Sequence, residues 1–460
     1  MEIYDVAIVG GGVIGTALFY LLSNYTNIKS EILIEKNSDF GMVNTHEWNN
    51  AQTLHFGDIE TNYTVEKAKE TKVSSEMLEG FLLNTKGLSR DIFKRCNKMV
   101  LAVGDSEVEA LREKYELLKP VFSYIRYTDN RDIIKRFEPY VVKGRDRSES
   151  IAIIQSDNGY MVNFRLLSKD FIRLSRKDKN KKVLLNTKVK DIRYYDGLYR
   201  IYTDKAVYSA KIAVLSAGSY SFYFAKRLGY ADNLIILPVG GNFYRTTKRF
   251  TNGKIYRVER TGIPFAAVHA DPEIDMPNTT RFGPTATFSP VLEVRYIRSF
   301  LDYLMTLDFN LDTIKSIINI LRDKDIIEKL SSSMSYNMPI IGKKAFVDNE
   351  ARKIIPSLRY DEIYLAKGVG GIRPQIVDEK EHKIKLGTGK IVGEQIIFNI
   401  TPSPGASACL KIGLSDAYYI SKALDLNIEL EKLFKDLGKE SIMKDILDRI
   451  SKESFYNNFM

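Results

Sequence analysis

The chain has only two cysteines, Cys96 and Cys409, in 460 residues. They lie far apart and carry no metal-ligand spacing, which argues against a disulfide framework and fits a reducing compartment. Histidine is also scarce: His46, His55, His269 and His382 are the whole complement, and none pairs with another at helical ligand spacing. No metal site is therefore expected. No apolar run reads as a transmembrane helix. The segment Val6 to Leu22 is nearly all apolar, but glycines break it and no basic flank precedes it. It is not read as a signal peptide, and no arginine-rich presequence stands before it. Internal repeats, low-complexity tracts and nucleic-acid-binding motifs are absent as well.

What is present is ordinary for a soluble globular protein: 44% hydrophobic and 27% charged residues. The length favours two or more domains. The net charge of +10 is spread along the chain, with one dense run from Lys177 to Lys182. A solvated lysine-rich loop accounts for that run; attraction to an anionic membrane surface is the functional alternative. A basic balance also helps to draw in a dianionic substrate.

The most specific local signal lies at the start. Val6-Ala7-Ile8-Val9 reads as a buried parallel strand. Gly10-Gly11-Gly12-Val13-Ile14-Gly15 then fits G-x-G-x-x-G and enters the apolar helix Thr16 to Leu22. In such a turn Gly10 permits the bend, Gly12 lets a pyrophosphate reach the backbone, and Gly15 lets helix and strand pack closely. The helix N-terminus offers free N–H groups and a positive dipole end to the phosphates. A second strand, Ile32-Leu33-Ile34, ends at Glu35, twenty residues past Gly15, where a ribose-binding acid belongs. The order implies a bound dinucleotide but does not distinguish NAD from FAD. A packing turn without ligand is the bland alternative.

Further along, helical spacing covers 66–95, 105–118, Phe164 to Leu174, and one or two helices within 296–330. Boundaries are expected at Pro120 and across Pro139 to Ser150. Strands are expected at Ile151–Ile154, 183–185, from Val189, 199–202, 206–208 and 212–215, the last running into Ser216-Ala217-Gly218. Residues 236–290 are strand-rich, Tyr364-Leu365-Ala366 is a late strand, and Ala406 to Ala423 a late helix after the turn Thr401 to Gly405. Another helix, from about 427, carries Leu430, Leu433, Phe434, Leu437, Ile442 and Ile446 near one face. Packing on the domain and contact with a membrane are both open for it. A second small-residue turn feeding a second helix is what flavoenzymes of the glutathione-reductase type use. There a positive helix end favours the charge that a reduced flavin gains. This points to FAD.

The segment Asn44 to His55, then Gly57 to Thr64, resembles the malate:quinone oxidoreductase family, FAD enzymes of the D-amino-acid-oxidase-like superfamily. The likeness continues through Leu237–Tyr244, Pro264–Asp271, Arg281–Thr287, Gly371–Gln375 and Ser403–Ser407. It departs at Gln52 and Leu54, where many members have glycine, and at Pro272 and Glu273, where many have Thr and Arg. The resemblance is to a divergent branch with epsilonproteobacterial and apicomplexan members. It implies an α/β fold: a Rossmann-like FAD-binding domain of glutathione-reductase type interleaved with a mixed-sheet substrate domain. The expected division is 1–60, 151–235 and 355–425 for FAD, with 61–150 and 236–354 for substrate, and 426–460 as a C-terminal helical segment.

The resemblance implies oxidation of (S)-malate to oxaloacetate in the tricarboxylic acid cycle, with electrons passed through FAD to a membrane quinone. Another FAD-dependent 2-hydroxy-acid dehydrogenase, such as one for L-2-hydroxyglutarate, is the alternative within the class; a noncatalytic dinucleotide-binding protein is the alternative outside it. The protein would sit peripherally on the cytoplasmic face of a bacterial inner membrane or on a mitochondrial inner membrane. His269 is the candidate base, since neutral imidazole titrates near working pH. Asp271, two residues on, would share a strand face with it and orient it. Arg373, in a tight turn between Gly371 and Pro374, is the candidate for the substrate carboxylate, because guanidinium grips carboxylate with two parallel hydrogen bonds. Tyr244 and Arg281 are candidates for the second carboxylate. Gln52, Thr53 and His55 fall where the resemblance places substrate and the underside of the flavin. The expected FAD contacts are Gly10, Gly12, Gly15, Glu35 and Lys36, then Asn50, Ala51, Gln52 and Thr53. Val189, Ala217 and Gly218 belong to the adenosine half, and Gly371, Pro404, Gly405, Ala406 and Ser407 to the flavin half.

Overall fold

The computed structural model describes residues 2–259, 267–308, 310–338, 341–385, 389–400 and 404–453. The run Pro264 to Ala266 and residues 401–403, both used above, lie outside the described residues.

The opening strand, Ile3–Val9, is buried from Tyr4 onward and pairs in parallel on both sides. Its neighbours are Val207–Leu215 and Glu31–Ile34, with Val9 level with Leu215 and Ile34. Ile396–Asn399 and Lys181–Leu184 extend the parallel run outward. A run buried on both faces needs continuous apolar character, which Val6-Ala7-Ile8-Val9 supplies. An antiparallel meander, Val189–Tyr195 and Leu198–Thr203, joins Val207–Leu215, and Lys390–Gly393 closes the other edge. Helix Val13–Tyr25 covers this sheet, together with Phe164–Leu174 and the late helix Cys409–Ala423. Gly413 lets the late helix approach closely, since a Cβ there would sit 3.2 Å from the Leu18 backbone nitrogen.

A second eight-stranded sheet is mixed. Its order runs Ile363–Leu365, Tyr244–Thr246, Thr280–Gly283, His269–Pro272, Lys254–Arg257, Lys98–Val103, Ile151–Ser156 and Arg126–Thr128. Only Lys254–Arg257 against Lys98–Val103 is parallel. A four-stranded antiparallel sheet, with Leu234–Gly240 against Ile372–Asp378 at its centre, lies between the two larger sheets in chain connectivity.

The α/β class with an interleaved mixed sheet is what the structure shows. Several expected boundaries shift. Ile151–Ser156 joins the mixed sheet and not the sheet of the opening strand, because its fully buried run pairs residue for residue with Lys98–Val103. Ile363–Leu365 and Ile372–Asp378 likewise pair outside the sheet of the opening strand. The helix expected over 66–95 ends at Asn84, and after Gly87 (φ +78°) the chain forms strand Phe93–Arg95 against Tyr160–Val162. The late helix starts at Cys409, three residues after the expected Ala406, following a series of turns. The helix expected from 427 is two, Leu430–Asp436 and Glu440–Ser451. Their Leu433, Phe434, Leu437, Ile446 and Ile450 are buried against Tyr20, Phe81 and Leu82.

Candidate active site

A cavity of about 910 Å³ runs from the Gly10–Gly12 turn to His269 and Arg373. This is near the top of the ~300–1,000 Å³ range of small-molecule sites. Its first wall is the glycine turn. Gly10 has φ +111°, and a Cβ there would strike the Ser216 carbonyl; a Cβ on Gly15 would run into the Gly10 carbonyl. Gly12, at the N-terminal end of helix Val13–Tyr25, has no side chain of its own to cap it. Thr45 Oγ1 accepts from Val13 N at 3.2 Å, while other first-turn N–H groups keep their donors for a ligand. The Glu35 carboxylate accepts from Gly11 N at 2.6 Å and from Asn37 N at 2.8 Å, so it braces the turn while lining the cavity. Lys36, Val189, Ala217 and Gly218 line this same end, with Lys36 paired to Glu293. A donor-rich helix end without a Cβ in the way, facing a long cavity, suits a dinucleotide.

The second wall joins distant segments. Asn44 donates to the Ile372 carbonyl at 2.8 Å and accepts from Ile372 N at 3.2 Å, acting as a strand partner for it. Gly370 N donates to the Trp48 carbonyl at 3.1 Å. A Cβ on Gly371 would come within 2.8 Å of the Asn49 carbonyl oxygen, so only glycine admits this seam. Asn50, Ala51, Gln52, Thr53, Gly371, Pro404, Gly405, Ala406 and Ser407 line this half. Ser407 Oγ accepts from His55 N at 3.0 Å and donates to the Thr53 carbonyl at 3.2 Å, tying the late turn to the early loop.

His269 and Asp271 lie on strand His269–Pro272, where alternate residues share a face. Asp271 Oδ2 stands 2.6 Å from His269 Nδ1. The approach is off-line for a full hydrogen bond, so the carboxylate acts on the ring chiefly as a charge. Lys254 Nζ is 3.6 Å from Asp271 Oδ1 and donates to the Ala51 carbonyl at 2.8 Å. Burial pushes the His269 pKa below its ordinary value, with Asp271 opposing it. Burial would raise the Asp271 pKa, but the charges of His269 and Lys254 outweigh it and hold it low. The pair is therefore neutral imidazole beside carboxylate. That charge favours the proton on Nδ1 and leaves Nε2, which has no hydrogen-bond partner among the described residues, as an acceptor. The His269 ring stacks on Tyr256, centroids 4.7 Å apart at 29°. The Tyr256 hydroxyl meets Thr53 Oγ1 at 2.8 Å.

Arg373 is the second residue of strand Ile372–Asp378, half-buried in the cavity wall. Burial lowers its pKa, and Glu259, then Tyr256 and Tyr63, act against that. Its side chain makes no hydrogen bond or ion pair with another described residue. A guanidinium in this position offers its fork to an anion in the cavity.

Some expected residues are not brought together here. Tyr244 does not line the cavity: it is buried, stacks on Phe346 at 4.2 Å, and donates to the Tyr336 carbonyl at 2.6 Å. Arg281 does not reach it either. It is fully buried, donates to the Glu47 and Asn50 carbonyls, and sits 3.3 Å from Glu273, holding the loop that forms the wall. Gln52 is among the residues that line the cavity. Its side chain is spent on the Glu47 carbonyl, Asp275 and Ile274 N. His55 lines the cavity, but Nδ1 is held by Glu60 Oε1 at 2.5 Å. Tyr256, Lys254, Asn44, Tyr63 and Glu259 were missed. For the first two a signal existed: the polar side chains of Lys254 and Tyr256, two apart on strand Lys254–Arg257, share one face.

The sequence profile of the malate:quinone oxidoreductase family matches residues 2–424. A malate:quinone oxidoreductase of Helicobacter pylori is 38% identical over 453 residues, covering 95% of this chain and 99% of that protein. A probable malate:quinone oxidoreductase of Campylobacter jejuni is 36% identical over 446 residues, covering 94% and 99%. Among solved structures, an FAD-bound L-alpha-glycerophosphate oxidase from Mycoplasma pneumoniae has a TM-score of 0.61 at 20% identity, covering 92% of this chain and 95% of its own. A glycine oxidase from Geobacillus kaustophilus scores 0.62 at 16% identity, with the same coverages.

Proposed function

This chain belongs to the malate:quinone oxidoreductase family, and from that premise we propose that it oxidises (S)-malate to oxaloacetate and passes the electrons to a membrane quinone. FAD, when bound, supplies the ring that accepts a hydride. The glycine turn, Val189 and Ala217-Gly218 hold its adenosine and phosphates; the loop Asn50–Thr53 and the turn Pro404–Ser407 hold its other half. The observation that carries the reading is that His269, backed by Asp271, and Arg373 meet the glycine turn in one cavity.

Oxidation removes two hydrogens from malate, the hydroxyl as a proton and the carbinol as a hydride, leaving a ketone. Arg373 holds a carboxylate and so fixes the carbinol carbon in place; such positioning is worth up to ~7–11 kcal/mol. His269 Nε2 takes the hydroxyl proton, and Asp271 stabilises the imidazolium that forms. Burial keeps the ring neutral before the reaction, so the base is ready at neutral pH. Tyr256 fixes the ring plane by stacking. The net charge of +10 raises the local concentration of dianionic malate. The protein sits on the cytoplasmic face of a bacterial inner membrane or on a mitochondrial inner membrane, where the quinone is dissolved.

Anaerobic mixing of the flavin-loaded protein with malate tests this, with flavin bleaching as the readout. His269→Ala should slow bleaching by about 10²–10⁴. Arg373→Ala should raise the half-saturating malate concentration by about tenfold or more. The wild-type bleaching rate should be flat above neutrality and fall as the pH drops through a value below the ordinary ~6.5 of histidine. Faster bleaching by 2-hydroxyglutarate than by malate would overturn the substrate, and a colourless protein that takes up no FAD would overturn the flavoenzyme.

A further inference from the structure

We infer that helices Ser299–Leu304, Leu311–Arg322 and Lys324–Ser335 present an apolar face that docks on an anionic lipid bilayer. The inference rests on the proposed membrane quinone as acceptor and adds the surface that meets the lipid.

Among the described residues, more than half of the exposed large apolar side chains fall within 297–341. Helix Leu311–Arg322 turns most of its described apolar side chains outward. Leu311, Ile314, Ile317 and Ile318 are 73%, 54%, 40% and 42% exposed, on one side. The opposite side buries Thr313 and Ser316, which reach Glu379 and His382 Nδ1 respectively. A soluble helix turns its apolar stripe to the core; this one buries Ile320 with Thr313 and Ser316 but leaves Leu311, Ile314, Ile317 and Ile318 outside. The neighbouring helices bury Tyr303 and Ile326 but also turn apolar side chains outward. Ser299 is buried while Leu301 and Met305 are exposed, and Ser333 is buried while Ile327 and Met334, a heptad apart, are exposed. Three consecutive helices with outward apolar faces mark an interaction surface.

Charge and location select lipid over a second copy. The chain carries a net +10, which repels a copy of itself and attracts an anionic leaflet. Arg298, Lys343 and Lys344 are exposed beside the apolar face. No helix among the described residues is long and apolar enough to cross a membrane, so contact would be interfacial. The face also adjoins the site. Asp302, on the first of these helices, lines the cavity and accepts from the Tyr220 hydroxyl at 2.7 Å. Asn337, just past the third, bonds Asn242 and Thr287; Thr287 is level with Gly240, one residue beyond the partner of Arg373. Other candidate surfaces are occupied: the late helices bury their apolar side, and Lys181 and Lys182 are paired with Glu31 and Glu2.

Flotation with vesicles of equal parts phosphatidylcholine and phosphatidylglycerol tests the face, using the flavin-loaded protein. Wild type should float. A Leu311→Ser, Ile314→Ser, Ile318→Ser variant should partition at least about tenfold less and lose reduction of vesicle-dissolved quinone, yet keep malate turnover with a soluble dye. A Leu117→Ser, Ile133→Ser control should float like wild type. If the triple variant floats like wild type, the face is wrong and the membrane reading stands. If the variant instead turns a dimer into a monomer in sedimentation with vesicle binding intact, the face joins two copies and the inference falls. If wild type does not float while dye turnover persists, the membrane reading falls together with this face and the malate chemistry remains.

Discussion

Glu31 lies at the start of the second strand, fully buried, with Ser23 Oγ donating to Oε1 and Lys181 Nζ 3.9 Å away. Burial pushes its pKa from 4.5 up to about 8, against those two groups. The folded protein thus keeps a proton there that the unfolded chain has already released. The resulting stability is complete below about pH 4.5 and is lost as pH rises toward 8. Glu31→Gln should remove this dependence. Urea denaturation at pH 5, 6.5 and 8 should show wild type losing on the order of 2–4 kcal/mol more than the variant over that range; parallel curves would reject it. At this scale the sequence was legible where a residue's neighbours in the chain decide its role. His269 and Asp271 share a strand face whatever the rest of the fold does. Tyr244 and Arg281 show the limit. Both are large polar groups on strands near the site, and only the tertiary register aims them at Tyr336 and Glu273 and away from the cavity.

At the scale of elements, the glycines of the first turn divide their work in a way that two substitutions separate. A Cβ on Gly12 would meet only Thr45 Oγ1, at 3.2 Å, whereas one on Gly15 would drive into the Gly10 carbonyl. Gly12→Ala should therefore melt close to wild type without cofactor and yet lose FAD, because the methyl stands where a pyrophosphate approaches. Gly15→Ala should lose both, with about 1–3 kcal/mol of stability gone. The flavin-to-protein absorbance ratio and the melting curve of the apoprotein read the two effects apart. Helices with strong local signals were legible almost to the residue, as at Asp105–Leu118 and Phe164–Leu174. Periodicity does not say which way a stripe faces. The apolar stripe of Leu430–Asp436 goes inward and that of Leu311–Arg322 outward, because the partners that decide, Tyr20 and Phe81 in one case and His382 and Glu379 in the other, are remote in sequence.

For the molecule as a whole, the cavity is lined by residues from near both ends of the chain, Val9 to Ser407. A ligand filling it ties the two large sheets together. Removing FAD should lower the melting temperature of the entire protein in one transition, and adding it back should restore about 2.7 kcal/mol at a hundredfold excess over Kd. Two separate melting transitions in the apoprotein would show that the sheets hold together without it.

The same interleaving bears on birth at the ribosome. The opening strand is made first, but its parallel neighbour Val207–Leu215 and the helix that covers it, Cys409–Ala423, come hundreds of residues later. At ~5–20 residues per second, that wait is roughly 10–40 seconds for the strand and roughly 20–80 seconds for the helix. Throughout it this apolar stretch has only its near partners, Glu31–Ile34 and helix Val13–Tyr25, and lacks the distant ones. Such a nascent chain needs a holdase or a slow, crowd-free passage, and overproduction should drive it first into inclusion bodies.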